Sequence, residues 1–242
     1  MTPPLFLLDA LPDSSSLVLG GAEGRHAARV RRLGVGESVW VSDGAGTVLE
    51  CVVSSVLTDG LSLRVVDRRF SPAPLPRLVV VQALPKGERA ELAVELLTEL
   101  GVDEIVPWGA SRCVVRWDGT RGDRALEKWR RTAREATKQS RRAWLPAVAA
   151  LHSTAEVVAR LSGACGLVLH EDAAAPLPSV DLPAAGDLVV VVGPEGGVAP
   201  DELETFVAAG AVPVRLGASV LRTSTAGAAA LAALSVQLDR WN

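Results

Sequence analysis

The apolar and polar positions of this 242-residue chain change rhythm about a third of the way along. Before residue 70 the apolar residues come in short Val- and Leu-rich runs, at 38–42, 47–57 and 61–66. Asp43-Gly44-Ala45-Gly46 and Asp59-Gly60 separate these runs and suit tight turns between strands. Residues 24–33, closed by Gly34, have the spacing of one short helix. This part predicts a small β-barrel with a single helix. From residue 77 strand and helix signals alternate instead. Residues 78–84 form an apolar run, as in a strand buried on both faces. Residues 86–100 have a helical pattern closed by Gly101. Short strands over 104–107 and 113–115 precede a long charged helix over 123–142, which stops before Pro146. A helix over 155–161 is followed by apolar strands at 166–170 and 188–192. Pro200, with Asp201 and Glu202 behind it, starts a helix over 200–209. A strand at 212–216 and an Ala-rich helix at 225–238 complete the series. Such alternation predicts an α/β domain with a parallel sheet and helices on both faces.

Ser71-Pro72-Ala73-Pro74-Leu75-Pro76 reads as an extended, stiff connector. The expected organisation is therefore a β domain over 1–70, a linker over 71–76 and an α/β domain over 77–242. Composition agrees with a folded chain: 48% of residues are hydrophobic and 22% charged. A net charge of −3 argues at first against a polyanionic partner. Its distribution reverses that reading, because residues 77–150 hold 14 basic and 10 acidic side chains while residues 151–242 hold 4 and 10. A basic surface is thus hidden in an acidic total. Cys51, Cys113 and Cys165 are isolated, so neither a metal site nor a disulfide framework is expected, and a reducing cytoplasm suits them. The apolar run at residues 5–8 has no basic segment before it, and no charge-free apolar stretch is long enough for a membrane span.

Two segments carry candidate chemistry. Gly193-Pro194-Glu195-Gly196-Gly197 follows the strand at 188–192, where ligands of open α/β sheets sit. Its glycines allow close backbone approach to a ligand. It lacks the Gly-Lys-Ser/Thr of a phosphate loop and the GxGxxG of a dinucleotide site, and Glu195 would repel a phosphate. A nucleoside or a cationic ligand fits better, although a plain strand-to-helix turn would look the same. The second segment, Leu216-Gly217-Ala218-Ser219-Val220-Leu221-Arg222-Thr223-Ser224-Thr225-Ala226, joins the last strand to the last helix.

Together these segments resemble the SPOUT class of methyltransferases, and within it the RsmE family, which methylates N3 of a uridine in 16S ribosomal RNA. Gly24-Arg25-His26-Ala27-Ala28-Arg29-Val30-Arg31-Arg32-Leu33 resembles that family's PUA-like RNA-binding domain. Lys86 after Leu84-Pro85, the stretch from Glu135 to Arg142, and Leu169-His170-Glu171 also match, so the resemblance is nearly full length. It implies a parallel sheet with a deep trefoil knot and S-adenosylmethionine as cofactor. The cofactor would lie against Leu169, His170, Glu171, the residues Gly193, Pro194, Glu195, Gly196 and Gly197, and Leu216, Gly217, Val220, Leu221, Thr223, Thr225 and Ala226. It further implies a homodimer with the active site at the subunit interface. Arg25, His26, Arg29, Arg31, Arg32, Lys86 and Arg141 are the implied RNA contacts. Two departures stand out: Ser224 occupies a position where the family usually carries Glu, and Thr2-Pro3-Pro4 replaces an N-terminal Arg.

Uridine N3 carries a proton, so attack on a methyl sulfonium requires its removal and stabilisation of charge on the flanking carbonyl oxygens. Arg222 is the candidate for that stabilisation or for positioning RNA, with a loop-holding salt bridge as its alternative. His170 is a candidate base, while His152 reads as structural. Glu195 could touch a ligand or simply cap its loop. A second basic set runs from Arg112 to Arg142 and reads either as a phosphate-binding surface or as a solvated helix face. Trp129 and Trp144 read as packing residues.

Overall fold

The computed structural model describes residues 2–241; Met1 and Asn242, the outermost positions of the two predicted domains, lie outside the described residues. Contacts divide the chain into two units, one formed by Met1–Ala73 with Thr137–Leu145 and the other by Pro74–Ala136 with Pro146–Asn242.

The first unit contains β1 (Leu5–Leu7), β2 (Ser16–Leu19), α1 (Gly21–Arg25), β3 (Ser38–Ser42), β4 (Thr47–Leu57) and β5 (Gly60–Phe70). The ladders give the order β1-β3-β4-β5-β2, antiparallel except for the β1–β3 pair. No ladder joins β1 to β2 among the described residues, so the hydrogen-bonded sheet keeps two edges. Alternate residues of β2 and β3, together with Leu49, Cys51 and Val53, face one core with Leu61 and Leu63. The predicted helix over 24–33 is shifted towards the N-terminus and ends more loosely wound than its spacing suggested: α1 passes into a π-helical turn at His26–Val30. Gly24 explains how α1 reaches the sheet. A Cβ there would stand 2.2 Å from the Leu19 carbonyl oxygen, so only hydrogen fits. Burial pushes the Cys51 thiol up to about 11, which keeps it protonated and inert.

The second unit contains β6 (Arg77–Ala83), α2 (Arg89–Glu99), β7 (Glu104–Trp108), α3 (Gly119–Ser140), β8 (Ala147–Val148), α4 (Thr154–Leu161), β9 (Cys165–Leu169), β10 (Ala175–Pro176), β11 (Asp187–Val192), α5 (Pro200–Ala208), β12 (Val212–Arg215) and α6 (Thr223–Gln237). The last residues of α3 count with the first unit. All seven strands pair in parallel, in the order β10-β12-β9-β11-β6-β7-β8. Every residue of β6 after Arg77 is buried, as is every residue of β11 after Asp187, which is why both read as apolar runs. From β6 the chain moves one way to β7 and β8, then crosses to β9 on the other side. β11 is then laid between β6 and β9, and β12 between β9 and β10. The carboxyl ends of three adjacent strands, β12, β9 and β11, therefore open side by side where the strand order reverses. α6 packs on α2, β6 and β11.

The predicted strand at 113–115 is absent. Its apolar triplet lies instead in a compact loop, in which the Cys113 amide donates to the Ala110 carbonyl at 3.0 Å. The Arg116 guanidinium donates to the carbonyls of Ala110 at 3.0 Å and Ser111 at 3.1 Å. These side-chain bonds satisfy backbone that a ladder would otherwise satisfy.

Candidate active site

The loops that leave β9, β11 and β12 wall a cavity of about 800 Å³ in the second unit. Leu169, His170 and Glu171 line it after β9, with Asp172 beside them. Gly193, Pro194, Glu195, Gly196 and Gly197 line it after β11. Leu216, Gly217, Val220, Leu221, Arg222, Thr223 and Ala226 line it between β12 and the first turn of α6. Thr225 alone of the predicted cofactor set does not face it; its hydroxyl donates to the Arg222 carbonyl at 3.1 Å and closes the helix start.

The glycine loop is held by several contacts. The Gly197 amide donates to the Pro194 carbonyl at 2.9 Å, and Gly197 takes a φ of 73°, which suits glycine. The Glu195 carboxylate accepts the Lys86 amide at 3.0 Å, so it fastens the loop after β6 to the glycine loop. The Arg112 guanidinium donates to the Gly196 carbonyl at 3.0 Å. Thr223 donates its hydroxyl to the Gly193 carbonyl at 2.7 Å and ties the two predicted segments together. Behind the loop, the Glu202 carboxylate is 4% exposed. It accepts the Ser111 amide at 2.8 Å, the Thr154 hydroxyl at 2.9 Å and the Ala199 amide at 3.3 Å. It thereby joins the loop bearing Arg112 to the start of α5.

Arg222 is exposed at the N-cap of α6 and has no ion-pair partner among the described residues, so the loop-holding salt bridge is not formed. His170 lines the cavity, and its Nδ1 accepts the Asp172 amide at 3.2 Å. Ser224 is buried in the first turn of α6 and does not line the cavity. Arg89 and Arg112 do line it, and sequence spacing alone ties neither to the site, since Arg89 starts α2 after β6 and Arg112 lies in the loop after β7.

The predicted RNA contacts Arg25, His26, Arg29, Arg31 and Arg32 are all exposed on α1 and the turns after it. Arg29 pairs with Asp59 at 2.6 Å on the surface. Lys86 is exposed, and Arg141, in the first unit, donates through Nε to the Pro3 carbonyl at 3.1 Å. The second basic set is partly committed to internal work. Lys128 pairs with Glu91 at 2.6 Å, Arg130 with Glu127 at 2.6 Å and Lys138 with Glu23 at 2.9 Å. Trp129 is buried edge-to-face against Trp117, with centroids 5.0 Å apart, and Trp144 donates to the Ser71 carbonyl at 2.9 Å, so both are packing residues. His152 is structural, with Nδ1 3.0 Å from the Ala150 carbonyl oxygen. No group of His, Cys, Asp and Glu among the described residues could hold a metal ion, and no helix is long and apolar enough to cross a membrane.

Residues 71–235 match the RNA methyltransferase domain family and residues 19–66 the RNA methyltransferase PUA domain family. A parallel sheet with its cavity at the carboxyl ends, preceded by a PUA domain, defines an RNA methyltransferase of the SPOUT fold. The chain is 49% identical to ribosomal RNA small subunit methyltransferase E of Mycobacterium bovis, over 100% of this chain and 95% of that protein. It is 29% identical to the Bacillus subtilis protein of the same name, over 95% and 93%. The crystal structure of the Neisseria gonorrhoeae ribosomal RNA small subunit methyltransferase E, bound to S-adenosylmethionine, superposes with a TM-score of 0.88 at 25% identity, covering 98% of each chain. The chain belongs to the ribosomal RNA small subunit methyltransferase E family.

Proposed function

We propose that the chain methylates N3 of a uridine in 16S ribosomal RNA, using S-adenosylmethionine held at the carboxyl ends of β9, β11 and β12. One observation carries this reading: the three segments singled out in the sequence wall a single cavity, in a chain of this family. The wall fits the cofactor's chemistry. Gly193, Gly196, Gly197 and Gly217 offer backbone rather than side chain, Leu169, Leu216 and Leu221 offer apolar contact for an adenine ring, and Glu171, Asp172 and Glu195 favour a cation. Bound there, the cofactor supplies an electrophilic methyl group on a sulfonium.

The chain's own residues supply the rest. The Arg222 guanidinium, free of internal partners among the described residues and on the cavity wall, stabilises negative charge that spreads to the uracil oxygens as N3 gives up its proton to water. Holding the uracil against the methyl donor supplies much of the rate through orientation. Arg25, His26, Arg29, Arg31, Arg32, Lys86 and Arg141 hold RNA phosphates, which makes affinity strongly dependent on salt.

Three further features belong to the same reading. The laying of β11 and β12 between earlier strands is compatible with a trefoil knot. Val220, 73% exposed, and Leu221, 40% exposed, border the cavity and favour a homodimer in which a second copy completes the site. The three free cysteines accord with a cytoplasmic protein. Amide hydrogen exchange with and without S-adenosylmethionine tests the cofactor assignment. Protection is expected at residues 169–172, 193–198 and 216–223. Unchanged exchange in these segments at saturating cofactor would contradict it.

A further inference from the structure

Strand β6 is apolar from Leu78 to Ala83 except at Gln82, which is 1% exposed. A side-chain amide in the middle of a core is costly unless it is satisfied. Gln82 Nε2 donates to the Ala83 carbonyl at 3.0 Å and to the Thr223 hydroxyl at 3.1 Å. A carbonyl only accepts, so the amide must turn its nitrogen this way. The Thr223 hydroxyl then spends its one proton on the Gly193 carbonyl at 2.7 Å. The resulting relay runs from β6 through the first residue of α6 to the first residue of the glycine loop. Thr223 and Gly193 line the cavity; Gln82 stands behind them and does not.

The surroundings are built to bring these groups together. Gln82 is in register with Val192, the residue before the glycine loop. Gly227 lets α6 lie close on this point, because a Cβ there would be 3.0 Å from Leu97 Cδ2, 3.3 Å from Val192 Cγ2 and 3.6 Å from Gln82 Oε1. That Oε1 atom is buried and has no donor among the described residues. Stability alone would favour an apolar side chain of similar size here, since an orphaned buried oxygen is a net cost.

We propose that Gln82 is a positioning residue for the methyl-donor site. It fixes the glycine loop and the start of α6 at a set separation, so that the cavity walls are ordered before the cofactor arrives. The inference rests on the reading of this cavity as the S-adenosylmethionine site.

The test uses the full chain as wild type, Gln82→Leu, Thr223→Val, the double variant, and Thr223→Ser. S-adenosylmethionine is titrated calorimetrically into each, and amide exchange at residues 195–197 and thermal melting are followed without cofactor. Gln82→Leu and Thr223→Val are each expected to weaken binding about 5- to 10-fold, the worth of one buried hydrogen bond. The double variant should be no more than about twofold worse than either, because both changes cut the same relay. Thr223→Ser keeps the hydroxyl and should bind within about twofold of wild type. Exchange at 195–197 should quicken in the Leu and Val variants, while the melting temperature of Gln82→Leu does not fall. Wild-type affinity in Gln82→Leu, beside a wild type that binds the cofactor, overturns the relay and leaves the site standing. Additive losses in the double variant, or an equal loss in Thr223→Ser, overturn it too. A wild type that takes up no S-adenosylmethionine overturns both the site and the inference.

Discussion

Replacing Arg222 with Ala is expected to lower kcat by about 10²- to 10³-fold while cofactor affinity changes little. Among the described residues the guanidinium has no internal partner to lose, so its removal should not disturb the fold. It lines the cavity, and the charge it would meet exists only as the uracil loses its proton. An interaction made chiefly in the transition state lowers kcat and kcat/KM together. Arg222→Lys keeps the charge but loses the planar fork, and should recover only part of the rate. Single-turnover rates at saturating cofactor measure this directly, and an Arg222→Ala enzyme with normal turnover would take Arg222 out of the mechanism.

Glu202→Ala should have the largest effect on stability, about 2–4 kcal/mol. The carboxylate is buried, and its loss strands the Ser111 and Ala199 amides and the Thr154 hydroxyl. The Thr154 hydroxyl also accepts the Trp108 indole N–H at 3.2 Å, so the loosening reaches a fully buried ring that packs edge-to-face on Phe206. Because Ser111 precedes Arg112, the clamp on Gly196 should loosen as well. Chemical denaturation measures the first effect. Glu202→Gln keeps an acceptor oxygen and should cost less; equal losses for Ala and Gln would mean that the charge, rather than the acceptor geometry, holds the loop.

The strands that build the sheet were legible because burial on both faces writes apolar runs, as in β6 and β11. The glycine loop and the segment before α6 were legible as chemistry because their residues are contiguous. What escaped the sequence comes from long-range pairing. β1 and β2 are only 3 and 4 residues long, too short for a period to register. The triplet at 113–115 has strand composition, but bonds from Arg116 and the Cys113 amide hold it as a loop. Arg89 reaches the cavity from the start of α2 and Arg112 from the loop after β7, and the bond of Arg112 to Gly196 spans 84 positions. Nothing in the apolar run around Gln82 marks its role, because its partner Thr223 is 141 positions away.

The atom that receives the methyl group distinguishes base methylation from ribose methylation. Small ribosomal subunits lacking the modification, incubated with the purified protein and methyl-labelled S-adenosylmethionine, can be digested and the labelled nucleoside identified. Label on N3 of a single uridine in 16S ribosomal RNA is expected. Label on a ribose oxygen, or none despite bound RNA, would contradict it.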